Sequence, residues 1–165
     1  MPLGTVTSDV VELYDATAEA EGITLVTEME GDPVTLGDKN LLTSALVNLI
    51  DNALKYAGSG ATVRVRATQG RDTVSMMVQD DGPGIPLAER SRVIERFYRL
   101  DRSRNLPGNG LGLSIVTAIA SLHWGKLYLE DAAPGLIARI VLPGAETTVS
   151  ASANLADSLQ MGTAH

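Results

Sequence analysis

The sequence contains no cysteine, which excludes disulfide bonds and thiolate zinc sites and fits a reducing compartment. Basic residues are also scarce: 13 Lys and Arg stand against 20 Asp and Glu, a formal net charge of −7. Because nucleic-acid and anionic-membrane binders need an excess of positive charge, this balance argues against both classes of protein. Any site for an anionic ligand must therefore be local.

The sequence also lacks an apolar run of membrane-spanning length, and residues 1–20 lack the pattern of a secretory signal. We therefore expect a soluble chain without membrane contact. Its 165 residues, 44% of them hydrophobic, suffice for one domain with a sizeable core. Small and polar residues without periodicity dominate the end of the chain. We predict one domain at residues 1–143 and a disordered tail at residues 144–165.

The longest amphipathic pattern covers residues 38–56 and predicts a helix that buries one broad face. Its apolar residues, which recur at steps of one, three and four, are Leu41, Leu42, Ala45, Leu46, Leu49, Ile50, Ala53 and Leu54. Asn48, Asn52 and Lys55 fall at i, i+4 and i+7, so two carboxamides and one ammonium project in one line. This polar stripe is either the solvated side of a surface helix or a site for a metal-bound polyanion.

Two further helices and several strands are predicted around this helix. One helix runs from Ser8, as its N-cap, to Gly22, and the other covers residues 111–122. Apolar and β-branched runs bounded by turn residues predict strands, of which the second is very short. These strands cover residues 23–29, 34–36, 61–68, 73–79, 126–130 and 136–142. The sheet is predicted to be mixed.

Residues 87–107 form a polar segment that is basic in an otherwise acidic chain. They hold six arginines against three acidic residues, a local net charge of +3. The sequence therefore predicts that a polyanion binds here.

Two glycine motifs flank this segment. The first, residues 80–86, reads DDGPGIP after a predicted strand. It is either an ordinary turn or a fixed carboxylate beside open backbone, which suits a purine amino group. The second, residues 108–113, reads GNGLGL and opens the third helix, where free N–H groups favour phosphate. It is not a dinucleotide fingerprint, and the Walker pattern and the protein serine/threonine kinase motifs are absent.

Four segments in order resemble the N, G1, F and G2 boxes of sensor histidine kinases of two-component systems. They read NLIDNALKY, DDGPGIP, RFYRLDRSR and GNGLGLSIV. The resemblance covers residues 8–143 and is to the catalytic ATP-binding domain of that family. It implies the Bergerat (GHKL) fold, an α+β two-layer sandwich with three helices on one face of a mixed five-stranded sheet. The nucleotide lies between the helices under a mobile lid.

The resemblance also implies roles for individual side chains. Asn52 resembles the Mg²⁺ ligand, and Asn48, one turn earlier, supports the ion or the phosphates. Lys55 contacts phosphate, and Tyr56 packs near the adenine. Asp80 resembles the residue that reads the adenine amino group.

The glycine motifs and the basic segment complete the implied nucleotide site. The glycine motifs contribute Gly82, Gly84, Ile85, Gly108, Gly110, Leu111, Gly112 and Leu113. Arg99 and Arg104 match lid positions that reach the γ-phosphate, and Phe97 anchors the lid. Together with Asn48 and Lys55, these arginines are the implied catalytic set.

The implied activity is transfer of the γ-phosphoryl group of Mg-ATP to a histidine on a separate dimerisation and phosphoacceptor domain, which we expect elsewhere in a longer protein. A response regulator is the implied further partner. The implied location is cytoplasmic, in a full-length protein that is either free or anchored in a membrane. His123 stands where the family usually has a histidine-glycine-glycine turn, so we predict a structural role for it.

Two other functions remain open at the level of the sequence. ATP hydrolases of the gyrase, chaperone and mismatch-repair kind place a glutamate general base where this chain has Asn48, and a carboxamide cannot take a proton from water. A nucleotide-sensing module would bind ATP in the same pocket without transferring phosphate.

Overall fold

The computed structural model describes residues 1–82, 112–132 and 134–145. The described residues form three helices and five strands. The helices are α1 (Leu3–Ala20), α2 (Lys39–Ala57) and α3 (Gly112–Leu122). The strands are β1 (Thr24–Glu30), β2 (Thr62–Gln69), β3 (Thr73–Asp80), β4 (Lys126–Asp131) and β5 (Leu136–Pro143). The basic segment and most of the second glycine motif lie outside these residues, as does the predicted tail from residue 146.

The five strands form one sheet in the order β1-β2-β3-β5-β4, and its mixed character confirms the prediction. β1 runs parallel to β2, and the other neighbours are antiparallel. In the β3–β5 pair, Thr73 lies opposite Pro143 and Gln79 opposite Ile137. The carboxyl end of β3 therefore meets the first residues of β5, although more than fifty residues separate them in the chain.

The sheet has one apolar and one polar face. Along β2, Val63 and Val65 are buried, whereas Arg64 and Arg66 alternate with them on the other side. α1 packs against β1 and β2, α2 against β2 and β3, and α3 against β4 and β5. The helices thus form one layer and the sheet the other, as the resemblance implies.

α1 begins earlier than predicted. Its first residue is Leu3, with Pro2 in the extended N-cap position, so Ser8 lies inside the helix and not at its N-cap. Leu3 and Val6 are fully buried in the core, and the Leu3 N–H donates to the Pro33 carbonyl at 2.9 Å. Tertiary packing of the first turn thus overrides the local capping signal.

α2 matches its predicted span. The Asp38 carboxylate caps it by accepting from the Leu41 N–H at 3.0 Å, and Gly58 ends it with φ of 84°. Seven of the eight apolar residues predicted to be buried are buried. Leu41 is the exception, with 37% of its surface exposed, although its neighbour Leu42 is fully buried.

The short strand predicted at residues 34–36 is wrong. Val34 forms only an isolated bridge with Pro2. The Thr35 N–H donates to the Met1 carbonyl, and the Thr35 hydroxyl donates to the Pro143 carbonyl. The hydrogen-bonding groups of Thr35 thus bind two different segments, and they form no ladder with one neighbouring strand. In the described part of the chain, no helix has the length and apolar content to cross a membrane.

Candidate functional site

A cleft lies between α2, α3 and the ends of β3 and β5. Its walls are mainly apolar, and its polar side chains belong to Asn52, Tyr56 and Asp80. The lining residues are Leu49, Asn52, Ala53, Tyr56, Val78, Asp80, Leu113, Leu136 and Ala138. An apolar cleft with few polar groups is typical of a small-molecule site. Four of the residues implied in nucleotide binding therefore share one cavity.

Asp80 is the buried acid of this cleft, with only 4% of its surface exposed. Its carboxylate accepts from the Gly82 N–H at 2.9 Å and from the backbone N–H of Leu136. Burial raises the pKa of the Asp80 carboxyl, the nearby Asp81 charge adds to this, and the two N–H donors partly offset it. Because two donors fix the group, its remaining lone pairs have a defined direction.

Gly82 holds the first glycine motif against α2. A Cβ at this position would lie 2.6 Å from Ala57 Cα and 2.8 Å from the Ala57 carbonyl oxygen, closer than side chains allow. Only glycine therefore lets the residues after β3 pass the end of α2. This packing brings Asp80 to the same cavity as Asn52 and Tyr56.

Asp81, the second acid of this motif, has a different role. Its side chain accepts from the Thr62 N–H at 2.8 Å and so fixes the first residue of β2. Of the two adjacent acids, Asp80 therefore lies in the cleft and Asp81 stabilises the start of β2.

The predicted polar stripe lies on the face of α2 that meets the start of α3. Asn48, Asn52 and Lys55 are half-buried, and the Asn48 side-chain N–H donates to the Ser44 carbonyl at 2.8 Å. A Cβ added at Gly112 would lie 3.3 Å from Asn48 Oδ1 and 3.7 Å from Asn52 Oδ1. The N-terminus of α3 therefore lies directly against both carboxamides.

The donor set of this stripe fits a magnesium ion that arrives with phosphates. Asn48 and Asn52 offer neutral amide oxygens, and Mg²⁺ prefers oxygen ligands while keeping waters and substrate phosphates in its shell. Within residues 1–82, 112–132 and 134–145, no group of three or more His, Cys, Asp or Glu side chains is placed to hold a metal. The stripe therefore fits a metal shared with a polyphosphate.

His123 is a structural residue, as its sequence context indicates. Its Nε2 accepts from the Asp38 N–H at 3.1 Å and its Nδ1 donates to the Ile119 carbonyl at 2.8 Å. The imidazole is buried and both nitrogens are used. It joins the end of α3 to the N-cap of α2.

Several implied site residues lie outside the described part of the chain: Gly84, Ile85, Phe97, Arg99, Arg104, Gly108, Gly110 and Leu111. Conversely, the cleft contains apolar residues that the sequence did not single out, among them Leu136 and Ala138. The alternation of residues 136–142 could have shown that they face the helices. It could not have shown which strand lies beside them.

Comparisons with known proteins are consistent with this arrangement. Residues 37–155 match the family described as histidine kinase-, DNA gyrase B- and HSP90-like ATPase. The signal transduction histidine-protein kinase/phosphatase MprB of Mycobacterium leprae is 46% identical over 127 residues. That alignment covers 73% of this chain and 24% of the relative, so the chain spans about a quarter of that protein's length.

Two solved structures are similar to the whole described fold. The mycobacterial sensor histidine kinase MprB has 34% identity and a TM-score of 0.80, with 88% of this chain and 97% of that chain covered. Full-length ShkA in complex with AMPPNP has 27% identity and a TM-score of 0.78, with 88% and 30% covered. The cleft described above is thus set in the fold of these kinase domains.

Proposed function

The chain belongs to the family of histidine kinase-, DNA gyrase B- and HSP90-like ATPases, and we propose that it transfers the γ-phosphoryl group of Mg-ATP to a protein histidine. It is homologous to the ATP-binding catalytic domain of sensor histidine kinases. The observation that supports the proposal most is that a buried carboxylate and a carboxamide line one cleft. The buried acid Asp80 and the Asn52 carboxamide line the same cleft, and Asn52 lies with Asn48 against the α3 N-terminus.

Asp80 and the apolar walls suit the base of the nucleotide. The Asp80 carboxylate accepts a hydrogen bond from the exocyclic amino group of adenine, which guanine lacks at that position. Leu49, Ala53 and Leu136 supply apolar surface for the faces of the purine ring. Tyr56, in the last turn of α2, also lines the cleft and packs beside the base.

The polar stripe suits the phosphates. Asn52, with support from Asn48, would hold a magnesium ion that arrives with the phosphates, and Lys55 adds a positive charge in the last turn of α2. When bound, the ion neutralises charge that develops on the phosphates during transfer. The start of α3 lies against the same two carboxamides, and the dipole at a helix N-terminus favours an anion there.

Asn48 favours transfer to a protein over hydrolysis. A carboxamide cannot serve as the general base that activates water, and the Asn48 N–H is held by the Ser44 carbonyl. Asp51, the carboxylate next to Asn52, accepts from the Tyr14 hydroxyl at 2.8 Å. It therefore belongs to the contact between α1 and α2. Without a base at the Asn48 position, water is a poor acceptor.

The complete reaction needs partners beyond this domain. We assign the phosphoacceptor histidine to a separate dimerisation domain of a longer cytoplasmic or membrane-anchored kinase, and a response regulator as the next acceptor. Arg99 and Arg104 stay predicted contacts of the γ-phosphate. If they act on the departing group, Arg99→Ala or Arg104→Ala lowers the transfer rate more than ATP affinity, because charge stabilisation matters most in the transition state.

Incubation with γ-labelled ATP tests the proposal. The domain alone should bind Mg-ATP, hydrolyse it slowly and label itself negligibly. Addition of the dimerisation domain of its own kinase should yield acid-labile, base-stable phosphohistidine on that domain. Replacing the acceptor histidine by alanine in the added domain is the control and should abolish the label.

Two outcomes would contradict kinase activity. Rapid ATP hydrolysis by the isolated domain would favour the hydrolase. ATP binding without any labelling of the supplied histidine would favour a nucleotide sensor.

A further inference from the structure

The turn between β4 and β5 is packed onto the end of β3 more closely than a side chain permits. Gly135 has φ of 105°, and a Cβ there would lie 1.8 Å from the Asp80 carbonyl oxygen and 2.9 Å from Asp81 Cα. The Gly135 carbonyl accepts from the Ala132 N–H at 3.1 Å, which closes the turn. Both the conformation and the space at position 135 therefore require glycine.

This close contact places the next residue against the functional carboxylate. The Leu136 N–H donates to the Asp80 side chain, as the Gly82 N–H does, and the Leu136 side chain lines the same cleft. The orientation of the carboxylate thus depends on one donor from its own loop and one from β5. The second donor is in place only because Gly135 lets the two segments touch.

We propose that Gly135 is a positioning residue for base recognition, which acts through Asp80 to set the preference for a 6-aminopurine nucleotide. The inference rests on the proposed function of Asp80 in the nucleotide site. Any L side chain at position 135 would need to move the Asp80 backbone by more than an ångström to reach an ordinary contact distance. Hydrogen bonds weaken steeply with such displacements, so the carboxylate would lose its alignment with the amino group.

A purely structural role for Gly135 makes a different prediction. If the turn only stabilised the hairpin, its distortion would weaken every nucleotide alike. If Gly135 positions Asp80, the distortion would weaken only nucleotides that use the 6-amino group. ATP and purine riboside triphosphate, which lacks that group, separate the two roles.

The experiment compares the dissociation constants of these two nucleotides for the unaltered protein, Gly135→Ala, Asp80→Asn and Gly31→Ala. Gly31 is the matched control, since it also has a positive φ, of 75°, but a Cβ there would meet only the Gln69 side chain. The unaltered protein should prefer ATP by about tenfold or more, the value of a hydrogen bond to a charged group. Gly135→Ala should lose most of that preference and leave the binding of purine riboside triphosphate within about twofold, whereas Gly31→Ala should keep it.

A double variant and a milder variant complete the test. Asp80→Asn combined with Gly135→Ala should lose no more preference than Asp80→Asn alone, because both act on one hydrogen bond. If Gly135→Ala fails to fold by circular dichroism, Pro134→Gly loosens the same turn without adding a side chain to it. That variant should lower the preference for ATP in the same direction by a smaller factor, and an unchanged preference would overturn the inference.

The failure of this inference is distinguishable from the failure of the proposed function. Equal loss of both nucleotides in Gly135→Ala, or an unchanged preference, overturns the positioning role while Asp80 keeps its own. No preference for ATP in the unaltered protein overturns the base site and the positioning role together. Absence of phosphotransfer with a normal preference overturns the kinase proposal alone.

Discussion

Asn52 shows how the structure narrows the role of one residue. It lines the cleft, and its amide oxygen lies near the start of α3 together with that of Asn48. A solvated surface stripe, the other reading of the pattern, does not account for this shared placement.

We expect Asn52→Ala to weaken the magnesium-dependent part of ATP binding by about tenfold or more, because loss of a metal ligand or its support has effects of that size. Calorimetric titration of ATP with and without magnesium measures this part directly. Asn40→Ala is the matched control, since Asn40 is an exposed asparagine in the first turn of the same helix. Identical magnesium dependence in the Asn52 variant and the unaltered protein would contradict the assignment.

Asp80 also gives the domain a pH dependence of stability. Burial raises the pKa of this carboxyl above its ordinary value of 3.8, so the native state binds the Asp80 proton more tightly than the unfolded state. The contribution to stability is therefore fully present at low pH and is lost as the pH rises from 3.8 through the raised pKa. The ionised carboxylate that suits base recognition is thus retained at the expense of stability at neutral pH.

Asp80→Asn removes this titration, which gives a test by denaturant unfolding between pH 4 and pH 7. The difference in unfolding free energy between the variant and the unaltered protein should change in favour of the variant as the pH rises. Any constant effect of the altered hydrogen bonds cancels in this comparison. A difference that is independent of pH would show that burial does not perturb Asp80.

At the scale of elements, His123 fixes the geometry of the two helices that flank the cleft. It connects the end of α3 to the N-cap of α2 through two hydrogen bonds. Gly37 lies so close to the imidazole that a Cβ there would clash with it. The imidazole is therefore closely packed, and both of its nitrogens are also hydrogen-bonded. The start of α3 lies against Asn48 and Asn52 of α2, so the two contacts together define how α3 packs on α2.

The end of α3 carries a local strain next to this connection. Trp124 adopts φ of 58° in the left-handed region, and the Gly125 N–H donates to the Ala120 carbonyl at 2.8 Å, as in a Schellman cap. The indole is 77% exposed, so little packing offsets the strain.

We expect Trp124→Gly to raise the free energy of unfolding by about 1 kcal/mol, since glycine adopts this conformation without the Cβ clash. Trp124→Ala is the control, because it removes the indole but keeps the Cβ, and it should give no such gain. Denaturant unfolding followed by circular dichroism measures both, as Trp124 is the only tryptophan of the chain. An equal gain in both variants would attribute the effect to loss of the exposed ring.

In the molecule as a whole, the two faces of the sheet have different roles. The apolar face holds the helices and, at the carboxyl end of β3, the cleft. On the other face, Glu28 pairs with Arg64 at 2.7 Å and with Arg66, and Arg139 pairs with Glu130 at 3.0 Å. These partners, Arg66 foremost, hold the pKa of Glu28 below its ordinary value. Such exposed pairs satisfy charge across neighbouring strands and contribute little stability.

The sequence by itself determined what depends on neighbouring residues. The span of α2 follows from an apolar pattern between an aspartate cap and a terminating glycine, so its limits could be predicted closely. The hairpin of β2 and β3 follows from a short polar turn between alternating segments. The order of the four motifs then indicated the family, and the polar stripe and Asp80 could be named before their surroundings were known.

Only the tertiary structure decided what depends on segments far apart in the chain. The start of α1 at Leu3 follows from the burial of Leu3 and Val6 in the core and from the hydrogen bond of the Leu3 N–H to the Pro33 carbonyl. The donation from Leu136 to Asp80 and the need for glycine at position 135 both arise because β5 lies beside β3. No local pattern specifies that neighbour, since periodicity shows which face of a strand is buried but not which strand pairs with it.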